Sequence, residues 1–127
     1  CIGTFLPTKK NIAEEIIANA IAAATQDPRF PTLTLGELPD LKISVDVLSQ
    51  PKLIKKGFRL GDPLPKILNP KKYGLIVSAS DYRKGLLLPD IPGVKTAQEQ
   101  IKICCQKGGI SPREEIELEI FEVKRHH

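Results

Sequence analysis

Three short clusters carry the residue types that chemistry could use. The first is Cys1-Ile2-Gly3-Thr4. A thiol with a lowered pKa acts as a nucleophile or redox group, whereas a cysteine beside a glycine also packs well as a small apolar group. Cys1 is thus a candidate catalytic residue with a structural alternative, and no base can be assigned to it; Gly3 and Thr4 are candidate binding residues. The second cluster is Asp27, Arg29 and Phe30, in a proline-restricted loop. Its arginine fork could clamp a carboxylate or phosphate; alternatively Arg29 pairs with Asp27 or caps helix carbonyls while Phe30 fills the core. The third, Arg83-Lys84-Gly85, forms either an anion-binding rim or a solvated turn.

Other chemistries find little to build on. The sequence holds no phosphate-cradling glycine loop and no Ser-His-Asp set, since both histidines, His126 and His127, close the chain. Cys104 and Cys105 are adjacent, without a Cys-x-x-Cys pattern, so neither a metal site nor a cofactor is expected. Nucleic-acid binding through Lys55, Lys56, Lys71 and Lys72, with Tyr73 or Tyr82 stacking, is a further possibility. A net charge of +4 and an aromatic content of 5% give it weak support.

These clusters need a scaffold. With 127 residues, 41% hydrophobic and 27% charged, the chain has the material of one globular domain. No apolar run approaches the roughly 18 residues that cross a bilayer. Three cysteines, an odd number, argue for a reducing compartment, by default the cytoplasm.

Asn11-Ile12-Ala13-Glu14 has capping-box spacing and opens a predicted amphipathic helix over 11–26, docked by its isoleucine and alanine face. A loop over 27–40 leads to a half-buried strand in which Leu41, Ile43, Val45 and Val47 alternate with polar residues. Residues 50–72, rich in proline and basic residues, read as a long loop with at most a turn of helix at 63–68. A hairpin follows, from Tyr73–Ser78 to Gly85–Leu88, turning at 81–84. Thr96-Ala97-Gln98-Glu99 opens a second helix that stops at Gly108-Gly109. In the last strand Ile116, Leu118 and Ile120 alternate with glutamates, and the phase changes at Phe121 and Val123, predicting a bulge. The predicted class is α+β: a mostly antiparallel or mixed sheet packed with two main helices.

Several segments, in order, resemble the AMMECR-type domain family. Cys1-Ile2-Gly3-Thr4 is similar to the end of its Leu-Arg-Gly-Cys-Ile-Gly-Thr hallmark, and Asp27-Pro28-Arg29-Phe30-Pro31 with Leu38-Pro39-Asp40-Leu41 to its second block. Ser44-Val45-Asp46-Val47-Leu48-Ser49 is similar to the third. Asn69-Pro70-Lys71-Lys72-Tyr73-Gly74-Leu75-Ile76-Val77, Lys84-Gly85-Leu86-Leu87-Leu88-Pro89-Asp90 and Phe121-Glu122-Val123-Lys124-Arg125-His126 look most like the prokaryotic branch called AmmeMemoRadiSam system protein A. The resemblance implies a single domain over 1–127 lacking the family's N-terminal portion, which would leave sheet edges and apolar helix faces uncovered. It also implies an accessory or binding role in a modification system with a radical S-adenosylmethionine protein and a Memo-type protein. The alternative is an enzyme with a small-molecule or peptide site near Cys1-Ile2-Gly3-Thr4, the Asp27 to Pro31 loop and the Arg83 to Gly85 turn.

Overall fold

A computed structural model describes residues 2–127. The chain divides into two compact units: the described residues up to Val45 together with Arg125–His127, and Asp46–Lys124. Each is taken by itself.

The first unit is built on helix α1, Ile12–Thr25. Asn11 starts it as sequence spacing predicts, its side-chain oxygen accepting from the Glu14 N–H at 2.9 Å. The expected docking face is not buried, because no residue of α1 is enclosed. Ile12, Ile17 and Ile21 are each more than half exposed. A 3₁₀ segment, Leu35–Asp40, occupies the predicted loop and is opened by a capping box between Thr34 and Glu37.

The second unit holds the core. Strands β2 (Lys52–Phe58), β3 (Gly74–Ala79), β4 (Lys84–Leu87) and β5 (Ile116–Phe121) form one sheet in the order β2-β5-β3-β4, all neighbours antiparallel. This is the α+β architecture the sequence predicts. Helix α2, Ala97–Gly108, covers one face. Both of its predicted ends are present: a reciprocal capping box joins Thr96 and Glu99, and Gly109 closes it with a left-handed φ of 65°. Leu75, Val77, Leu87, Leu118 and Ile120 point at α2 and meet Ile101, Cys104 and Cys105. Outside this sheet, Val45–Leu48 (β1) and Val123–His126 (β6) form a two-stranded sheet. The predicted phase change falls at Glu122, between β5 and β6, where the Glu122 N–H donates to Ser49 Oγ at 2.8 Å.

One strand differs from expectation. The predicted loop over 50–72 contains β2. Register shifts between Leu53 and Lys55 and between Lys55 and Phe58 break the two-residue period, and Gly57 has a left-handed φ of 63°. Bulges therefore erased the alternation from the sequence, although Phe58 ends the strand wholly buried. At 63–68 a single turn forms, the Leu68 N–H donating to the Pro65 carbonyl at 3.2 Å, and β1 starts later than predicted, leaving Leu41 and Ile43 exposed outside it.

Candidate functional site

Cys1 lies outside the described residues. Of its neighbours, Gly3 is exposed, and an added Cβ there would meet nothing within 4 Å. Thr4 belongs to a small polar knot: its hydroxyl donates to Glu15 Oε1 at 2.6 Å, and the Thr8 hydroxyl donates to the same oxygen at 2.7 Å. The backbone N–H groups of Thr8 and Lys9 both donate to Glu15 Oε2 at 2.8 Å. The Thr4 hydroxyl first, then the Thr8 hydroxyl and the two N–H groups, hold the Glu15 carboxyl at about 2, below its ordinary 4.5.

A depressed carboxyl favours the folded arrangement when ionised. Its contribution is present above the ordinary value and is lost as pH falls through the folded one. The knot is therefore expected to open between pH 4.5 and about 2. An NMR titration should show the Thr8 and Lys9 amides moving together in that window, with Glu15→Gln shifting both at neutral pH; amides unchanged down to the lower limit would contradict it.

Asp27, Arg29 and Phe30 do come together. The Arg29 fork donates to both Asp27 oxygens, Nε to Oδ1 at 2.9 Å and Nη2 to Oδ2 at 2.7 Å. The Arg29 N–H also donates to Asp27 Oδ1, at 3.0 Å. The pairing leaves 7% of the Asp27 side chain exposed and pulls its pKa down to about 2. The guanidinium stands 5.8 Å from the centre of the Phe30 ring, which is 68% exposed. Phe30 is not a core residue.

In the second unit Arg83 acts as a clasp. Its Nε donates to Asp81, Nη1 donates to the Gly109 carbonyl at 2.6 Å, and Nη2 binds Glu114. One side chain so links the β3–β4 turn, the end of α2 and the approach to β5. Gly85 is buried beneath α2: an added Cβ would lie 1.7 Å from the Cys104 carbonyl oxygen. Gly108 meets the backbone of Lys84 and Gly85 from the other side. The two glycines let helix and strand touch.

Lys84 alone of this cluster turns away from α2, to a cavity of about 360 Å³ on the opposite sheet face. Ser78, Ser80, Tyr82, Glu115, Glu117 and Glu119 share its lining. Cross-strand register places Ser78 opposite both Lys84 and Glu117, so these three form one row over three adjacent strands. Glu119 falls in the next row, opposite Ile76. The sequence shows these glutamates only as the polar phase of an alternating strand, and Ser78 as one small residue in an apolar one. Nothing local marks that they share a pocket.

The other nominated side chains have plain surroundings. Burial raises the Cys104 thiol to about 12 and also raises Cys105, opposing thiolate formation. The Lys72 ammonium lies 5.0 Å from the centre of the Tyr73 ring, while Tyr82 is 88% exposed at a positive φ of 70°. Among the described residues no helix is long and apolar enough to cross a membrane.

Comparison with known proteins agrees with this architecture. The chain is 49% identical over 127 residues to a protein of Thermotoga maritima, covering 99% of this chain and 68% of that one. It is 45% identical over 126 residues to a Clostridium acetobutylicum protein, covering 99% of this chain and 25% of the relative. The crystal structure of an uncharacterised Pyrococcus horikoshii protein aligns with a TM-score of 0.78 at 32% identity, over 98% of this chain and 62% of that one. The chain thus spans only part of the length of these relatives. Residues 1–126 match the family model AMMECR1. With sheet, helix and sequence blocks in agreement, this chain belongs to the AMMECR1 family.

Proposed function

We propose that this domain works by binding, as an accessory component of a cytoplasmic modification system of the AmmeMemoRadiSam type, with a radical S-adenosylmethionine protein and a Memo-type protein as its partners. The observation that carries the binding role is the apolar surface of the first unit. Ala13, Ile17 and Ile21 follow one another at four-residue spacing along α1 and are all exposed. Leu35, Leu38, Leu41 and Ile43, further along the same unit, are exposed as well. Exposed apolar side chains favour burial against another surface, whether a partner or the further length that the relatives have, because that removes area from water at about 25 cal/mol per Å². By contrast Arg83 and Asp27, which the sequence offered for ligand binding, are engaged with side chains of their own unit.

The identity of the partners rests on the resemblance of the sequence blocks to that branch. Co-purification of the full-length protein with the two partners, under reducing and anaerobic conditions, tests it. A stable complex is expected; its absence under those conditions would count against this reading.

A further inference from the structure

We propose that the outer edge of β2 is a docking site for an extended acidic segment of a partner protein, which adds to the sheet as a further strand. The edge lies wholly within Asp46–Lys124, so the proposal goes beyond the α1 surface and does not depend on it.

The first observation is an open row of backbone groups. The sheet order β2-β5-β3-β4 leaves β2 with one neighbour, β5. An end strand turns half of its N–H and C=O groups outward, where they go unpaired unless another chain takes them. Among the described residues no backbone–backbone hydrogen bond beyond the β5 ladder reaches 52–58. From Lys52 to Gly57 every residue except the half-buried Ile54 is exposed.

The second observation is charge. Between residues 46 and 72 the sequence has seven Lys and Arg against two Asp, while the remaining residues have twelve Lys and Arg against thirteen Asp and Glu. The net charge of +4 is therefore carried by this one segment. Lys52, Lys55 and Lys56 stand on the edge strand itself, exposed and without an ion pair among the described residues. Lysines and bulges also keep an edge from pairing with another copy of the same chain. The lysines do so by repulsion, which becomes attraction when the incoming strand is acidic. Open backbone groups supply affinity for any strand, and the lysines select its charge.

The aromatic residues separate a protein segment from nucleic acid. Between 46 and 72 the one aromatic side chain is Phe58, which is wholly buried. Single-stranded nucleic acid is held by exposed aromatic platforms as well as by phosphate contacts. A peptide needs no platform, because its own backbone meets the open edge. One of its apolar side chains can also cover Leu53, which is 43% exposed.

NMR titration of the protein with a capped hexapeptide of alternating glutamate and valine tests this. A hexapeptide alternating glutamate with proline has the same charge but cannot extend a sheet; one alternating lysine with valine has the opposite charge; a uridine hexanucleotide offers phosphates. The expected result is saturable amide shifts centred on 52–58, with half-saturation on the order of 1 mM, weakening as salt is raised, and slower hydrogen exchange along the same strand. The glutamate and proline peptide should bind about 5-fold more weakly than the glutamate and valine one, having lost strand hydrogen bonds. Lys55→Glu with Lys56→Glu should weaken binding of the glutamate and valine peptide about 10-fold, and Lys55→Gln with Lys56→Gln about 3-fold. The second pair keeps the test decisive should the first fold poorly. Equal binding of the proline-containing peptide would show attraction by charge alone, and tighter binding of the nucleotide a phosphate ligand; either would overturn the proposal. So would shifts that are absent, spread over lysines outside 46–72, equal with the lysine peptide, or unchanged in the variants.

Discussion

Gly85→Ala is expected to lower stability by about 3 kcal/mol or more, at the upper end of overpacking changes. The added Cβ would sit 1.7 Å from the Cys104 carbonyl oxygen and 2.6 Å from its carbon, both backbone atoms of α2. Neither can rotate away like a side-chain tip. The helix would have to lift, parting Leu87 and Val77 from Ile101 and Cys104 in the core. The Arg83 hydrogen bond to Gly109, at the end of the same helix, resists that movement. Urea unfolding measures the effect, with Gly36→Ala as a comparison, because an added Cβ at Gly36 meets nothing within 4 Å and should change stability by about 0.5 kcal/mol or less. Equal midpoints for the two variants would show that α2 does not press on β4 as described.

The combined change Ile17→Glu and Ile21→Glu should have the reverse profile. Both side chains are exposed, at 60% and 57%, so the unfolding free energy should change by no more than about 0.5 kcal/mol. Association with the proposed partners, however, should weaken about 100-fold, since charges placed at the centre of an apolar interface remove burial and leave desolvated carboxylates. Co-purification of full-length variant and parent protein gives the comparison. If the variant unfolds while the parent does not, the stripe is an internal packing surface of the longer protein; if both fold and bind equally, α1 is not the docking face.

How far the sequence could be read depended on where each signal resides. Helix ends were legible because capping is local: Asn11 with Glu14, and Thr96 with Glu99 then Gly109, each satisfy backbone groups within four or five residues. The β3–β4 hairpin was legible for the same reason. Strand β2 was not, since Gly57 and two register shifts disrupt its alternation and its pairing partner, β5, lies about sixty residues away. Periodicity shows that a helix has an apolar face, but not whether anything covers it. That is why periodicity led to a docked α1, whereas the family resemblance implied uncovered helix faces, and α1 is exposed.

The same division holds for the candidate sites. By itself the sequence determined the α+β class, both helices, most strands and, through the order of its blocks, the family. It also brought Asp27 to Arg29, two residues apart, where a short loop suffices for an ion pair. Only the tertiary structure decided that Gly85 serves contact with α2, that Arg83 joins three segments, and that Ser78, Lys84 and Glu117 form one row. Those relations depend on strand order and register, set by the packing of residues distant in sequence. Local spacing does not encode them.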